Sequence, residues 1–297
     1  EVDSGGTTTL TGDVTTSGAQ TYTGAVSLAA DVVATSTAGA DVTFSGAVNG
    51  SVANVRNLTV NTSGDTIFGS TVGATNRLLT LTTNAGGATT LTGNVTTQGA
   101  QSYGDDVILA GSITAASNTN QAITFSGAID GDIAATHALT INTTGATTLG
   151  AAVGATNSLA SITTNSGGTT SLSGDVTTSG AQVYNDALTI ASDLTLRAGD
   201  VDFAANITGV GRSLTIESLN PAQGIELAGA GATAALDLTS AELARLQDGF
   251  ALITIGASGM TGDLVVAGAI SPLDPLRLVV SDPAGLIALG AGITGSE

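Results

Sequence analysis

The chain has 297 residues, 24 carboxylates, six arginines and no lysine, cysteine or tryptophan, for a formal net charge of −18. That balance argues against nucleic acid and anionic membranes as partners, because phosphate binding needs clustered cations, and the lack of cysteine removes disulfide frameworks and thiolate metal sites. With 42% hydrophobic residues, only 10% charged and 41 glycines, the composition suits many short strands joined by tight turns rather than charge-rich disorder.

The chain opens on Glu1-Val2-Asp3-Ser4-Gly5-Gly6, with no basic start and no apolar core, so an export signal is expected to have been removed or to lie outside this stretch. No apolar run approaches the roughly 18 residues of a membrane span, and no membrane insertion is expected.

From Thr8 onward a repeat dominates the chain. Thr8 to Thr16 returns as Thr89 to Thr97, and Leu10, Leu91 and Leu172 are spaced by 81. The pairs Gln20 and Tyr22, Gln101 and Tyr103, Gln182 and Tyr184 keep the same spacing. Inside each block a shorter unit recurs: large apolar, any, tiny, any, branched. The first block has it at Leu10 to Val14, Leu28 to Val32, Phe44 to Val48 and Phe68 to Val72. The second has it at Leu91 to Val95, Leu109 to Ile113, Phe125 to Ile129 and Leu149 to Val153, and a third, shortening block at Leu172 to Val176, Ile190 to Leu194 and Phe203 to Ile207.

Alternation along a strand puts positions i, i+2 and i+4 on one side. The pattern therefore predicts an inward ladder of Leu10, Val14, Leu28, Phe44, Leu58, Leu91, Val95, Leu109, Phe125, Leu139, Leu172, Val176 and Phe203. It also predicts that Gly12, Gly46, Gly93, Gly111, Gly127 and Gly174 face inward, where a narrow coil leaves no room for a side chain. Units of about 20 residues, four to a block, predict an all-β parallel β-solenoid of about fourteen coils and on the order of 70 Å in length. The rival is an array of antiparallel β-sandwich domains, one per block, which needs bulkier cores than 3% aromatic residues supply.

Composition shifts near residue 219, beyond which all four prolines lie. Residues 1–218 read as the repetitive shaft and 219–297 as a divergent continuation or cap. Within the latter, Thr239-Ser240-Ala241-Glu242 forms a capping box, and with Leu243, Leu246 and Gly249 it predicts a helix near 240–247.

Chemistry-bearing residues are few. His137, the only histidine, is expected to be an ordinary polar loop residue. Asp105 with Asp106, and Asp200 with Asp202, are the carboxylate pairs to weigh for acid/base work; turn chemistry accounts for the first and a solvated strand face for the second. Calcium is a weak expectation, since Asp13 becomes Asn94 in the next block. Thr80 and Thr82, with Thr140 and Thr143, raise a threonine-ladder, ice-binding alternative that β-propensity already explains. No catalytic, cofactor or metal residue is assigned.

The Leu91-Thr92-Gly93-Asn94-Val95-Thr96-Thr97 style of repeat, and the segment from Leu236 to Phe250 through Ile253-Thr254-Ile255-Gly256, resemble the shafts of filamentous haemagglutinin-like proteins of the two-partner secretion and giant adhesin group of Gram-negative bacteria. The resemblance implies a right-handed parallel β-helix, export to the cell surface, and an adhesive or fibrous role. Self-association or neighbouring repeats, and a host receptor or glycan, would be the partners. Asn220-Pro221-Ala222-Gln223-Gly224-Ile225 approximates the family's Asn-Pro-Asn-Gly-Ile secretion motif but is one residue longer and misplaced, so that role is not carried over. A polysaccharide-degrading β-helix enzyme is the alternative on the same scaffold.

Overall fold

The computed structural model describes residues 6–229 and 236–295; Glu1 to Gly5, where an export signal was sought, lie outside them. The chain winds into a parallel β-solenoid of about 13 turns, each of roughly 22 residues. Three short strands make a turn. Thr8–Leu10, Val14–Thr16 and Gln20–Tyr22 form the first, and Val26–Leu28, Val32–Ser36 and Val42–Phe44 form the second. The second lies on the first in parallel, with Thr8 opposite Val26, Val14 opposite Ala34 and Gln20 opposite Val42. Sandwich domains are thereby replaced by one continuous stack, about 60 Å tall at ~4.8 Å per turn.

Each position in the turn builds one wall. The second wall is an unbroken ten-stranded sheet from Val14–Thr16 to Ile207–Thr208. The first and third walls thin to single bridging residues at Val72 and Val153. There Gly73 and Gly154, with φ near +70°, turn the chain at once, and a side chain would collide with Thr96 O or Thr177 O.

Strands of three to five residues alternate buried and half-buried, so every second side chain enters the interior. Leu10, Leu28, Phe44, Leu58, Leu91, Val95, Leu109, Phe125, Leu139, Leu172, Val176 and Phe203 are buried there, and Val14, in the first turn, packs half-buried against this core.

The tiny residues occupy a different place from the one expected. Leu91 ends one strand and Val95 begins the next, so the five-residue unit is a corner and its two apolar ends line two different walls. Gly93 is the apex, partly exposed, as are Gly12, Gly46, Gly111, Gly127 and Gly174. What crowds them is the turn underneath. A Cβ on Gly93 would lie 2.8 Å from Ser70 C and Thr71 N, on Gly46 2.6 Å from Ala25 N, and on Gly111 2.6 Å from Thr92 O. On Gly127 it would lie 2.6 Å from Asp105 C, and on Gly174 2.5 Å from Ala152 N. Gly12, in the first turn, has nothing within 4 Å. Axial stacking of corners, not an opposite wall, selects small residues.

Sequence repeat and structural turn are also out of step. From Thr8–Leu10 to Ala88–Leu91 the chain advances eleven strand positions, which is three and two-thirds turns. Leu10, Leu91 and Leu172 therefore lie on the first, third and second walls, and do not stack on one another. Their actual neighbours are Leu28 on Leu10, Leu109 on Leu91, and Leu149 and Ile190 flanking Leu172.

Beyond residue 218 the third wall continues unbroken through Ser213–Ser218, Leu252–Ala257 and Leu276–Val280. The first wall gains a rung. Leu236–Leu238 pairs with Ile225–Leu227, which pairs in turn with Leu264–Val266 and places the later strand beneath the earlier one. The helix spans only Ser240–Leu243, with the Thr239 and Glu242 capping box formed. It stops short of 247 because Leu246 is needed as the rung above Ile207, and Gln247 N–H donates to Ile207 O. Ladder pairing and burial of Leu246 outweigh another helical turn, which in so short a helix contributes little.

Candidate functional site

The corner carboxylates have a task that their charge did not reveal. Val33 N–H donates to Asp13 Oδ1 at 2.8 Å, Thr114 N–H to Asn94 Oδ1 at 2.8 Å, and Thr195 N–H to Asp175 Oδ1 at 2.7 Å. Ala128 N–H and Ser213 N–H do the same with Asp106 and Asp193. Each bond ties one turn to the next at a corner where the strand ladder is interrupted. Only an acceptor oxygen is required, which explains why Asp13 and Asn94 exchange. Much of the acidity that reads as a solvated surface is thus structural, and at Asp31 bonds from the backbone and side chain of Asn57 hold the carboxyl below its ordinary range.

A glutamine–tyrosine seam recurs with the 81-residue spacing. Gln101 Nε2 donates to Val95 O, Thr97 Oγ1 and Ala116 O at 2.9–3.3 Å, while Tyr103 Oη donates to Gln101 Oε1 at 3.0 Å. Gln20 with Tyr22, and Gln182 with Tyr184, repeat it on the other two walls. Burial pushes the Tyr103 and Tyr184 hydroxyls far up, so they stay neutral donors. The repeat itself was the signal for this brace; its role needed the interior.

Asp105 lies on the bend between Gln101–Tyr103 and Asp106–Leu109, as the turn reading has it, but its side chain is buried. It accepts from Thr83 and Thr89 inside the coil, and desolvation raises its pKa. Asp106 faces outward at the corner, so the two do not converge as an acid/base pair. His137 lies in a connecting loop, its Nε2 2.7 Å from Asp132 Oδ1.

The strongest electrostatic feature is an acidic row on the first wall. Asp237 sits beside Glu226 across the added rung, and its backbone N–H donates to Asp200 Oδ1 at 3.1 Å. Glu242 accepts from Phe203 N–H at 3.1 Å and closes the helix cap. Asp202 stands among them, accessible to solvent; partial desolvation, then Asp200, Glu242 and Asp237, raise its pKa to about 6. Desolvation followed by Asp200, Glu242 and Glu226 raises Asp237 as well.

A carboxyl raised from 3.8 to about 6 binds its proton more tightly in the folded state, so its stabilising share is full below pH 4 and lost as pH rises through 6. Asp202→Asn should therefore raise the melting temperature above pH 6 and change it little near pH 4. A variant-minus-wild-type difference that is flat with pH would sink this.

On the second wall an outward column of hydroxyls runs through Thr59, Thr82, Ser102, Thr124, Thr148, Ser171, Thr189 and Thr208. The neighbouring column through Thr80 is mixed, with Asn57 below it and Ala146, Thr169 and Ala187 further along.

Comparison with known protein families, curated proteins and solved structures finds no match to this chain. Among the described residues no group of three or more His, Cys, Asp or Glu side chains is placed to hold a metal ion, and no helix is long and apolar enough to cross a membrane.

Proposed function

We propose that this β-solenoid repeat protein is a non-catalytic, stiff spacer segment of an extracellular bacterial surface fibre of the filamentous haemagglutinin-like kind, which lengthens by adding turns at its ends. The observation that carries this reading is the continuous stack itself, in which one wall is a ten-stranded parallel sheet and each turn rests only on its neighbours. Ile287 and Leu289 stand in register on Leu264 and Val266 and continue the interior columns of the first wall. A stack of parallel turns presents unpaired strand edges only along its axis, and such edges accept another rung. The acidic, lysine-free exterior keeps lateral contacts open through self-repulsion, which favours end-to-end over side-to-side growth.

Sedimentation and electron microscopy test the proposal. Rods about one solenoid wide should lengthen with concentration, and Ile287→Asp combined with Leu289→Asp should weaken the association at least tenfold. A wild type that stays monomeric, or a double variant that associates equally well, would overturn it.

One observation favours a second reading, a polysaccharide-cleaving enzyme. Asp202, its pKa raised to about 6, stands two residues from Asp200 on the same strand, and a general acid needs a carboxyl that can hold its proton. Reducing-end release from a glycan panel that disappears in Asp202→Asn would replace the spacer with this reading. Ice binding draws no support from a single hydroxyl column beside a mixed one.

A further inference from the structure

The added rung on the first wall has no counterpart on the second. There Ile207 pairs with Leu246, and Ile270 with Ile293, but among the described residues no bridge joins Leu246 to Ile270. The third wall stacks directly through the same turns, so the mismatch opens the second wall alone. The result is a cleft of about 360 Å³ between the short helix below and residues 269–274 above. Leu243, Leu246, Ile253, Ile270 and Leu276 line it, and Asp274 sits in its wall.

Asp274 is the unexplained element. It is 8% accessible, its Oδ1 accepts from Gly249 N–H at 2.8 Å, and its buried Oδ2 has no hydrogen-bond partner. No ion pair to it forms among the described residues. A carboxylate oxygen buried without a donor is costly, and a partner brought from outside would recover that cost. The walls are mainly aliphatic, with Ser240 and Ser271 besides Asp274, and the molecule carries −18, so the complementary occupant has an apolar body and one positive, hydrogen-bond-donating head.

We propose that this cleft binds a small amphiphilic amine, its alkyl or aryl body against Leu243, Leu246, Ile270 and Leu276 and its ammonium at the Asp274 carboxyl group. The site is independent of fibre formation and of the acidic row.

Titrating the methyl-labelled full chain with hexylammonium, hexan-1-ol and hexanoate, read by NMR, tests it. Hexylammonium should give saturable shifts confined to the leucine and isoleucine methyls of the cleft, at least tenfold tighter than hexan-1-ol and weakened by salt, with none from hexanoate. Asp274→Asn should lower hexylammonium affinity about tenfold and leave hexan-1-ol unchanged. Should that variant misfold, Ala244→Trp at the exposed rim keeps Asp274 intact and should abolish binding with wild-type melting. Equal affinity for amine and alcohol, shifts spread along the solenoid, or undiminished binding by Ala244→Trp would overturn the proposal.

Discussion

Gly93→Leu should lower the melting temperature by roughly 5–10 °C, while Gly12→Leu should leave it within a degree or two. Both glycines occupy the same position of the repeat, so any account based on the coil's interior width requires the two variants to behave alike. Position along the axis separates them. At Gly93 the first side-chain atom would lie 2.8 Å from backbone atoms of Ser70 and Thr71, and backbone in a stacked turn cannot step aside as a flexible side chain can. Overpacking of this kind costs about 1–3 kcal/mol and more where backbone must move. Gly12 has no turn beneath it among the described residues and nothing within 4 Å. Thermal unfolding of the two variants decides the matter; equal losses would return the glycines to the interior.

Phe125→Ala should cost about 3–5 kcal/mol, and the loss should be local. Phe125 is fully buried, stacks on Tyr103 with ring centres 4.7 Å apart and planes 7° from parallel, and carries Leu149 on its other side. Truncation leaves a void between two rungs, flanked by Tyr103 and Leu149. In a solenoid each turn contacts only the turns on either side, so stability is a sum of neighbouring interfaces. Hydrogen exchange should therefore accelerate in the strands Gln101–Tyr103, Ile123–Phe125 and Ala146–Leu149, and leave the strands before Phe68 and after Leu194 protected. Uniform acceleration from end to end would mean that the stack melts as a single unit.

The candidate sites were legible in unequal measure. The Gln101 and Tyr103 pair announced itself by recurring, but a glutamine beside a tyrosine reads as surface until the carbonyls of Val95 and Ala116 arrive from other strands. Asp13, weighed for calcium, and Asp106, read as turn chemistry, gave no sign of their bonds, because an acceptor's partner lies about 20 residues away in sequence and one turn away in space. Asp200 and Asp202 were visible as a pair; Asp237, Glu226 and Glu242 joined them only when an out-of-order rung brought them to the same wall. Nothing in the order of residues 225–276 announces the cleft, since it arises from a rung that one wall has and another lacks.

Local alternation decided the rest. Which large apolar residues point inward, that strands are short, that turns stack in parallel and that the helix begins after Thr239 all follow from the sequence alone, because side-chain alternation and capping act over two to four residues. The phase of the winding does not. How many corners close one turn depends on how three walls pack against a shared interior. That packing sets about 22 residues per turn against a sequence period of 81, so each block returns on a different wall from the one before.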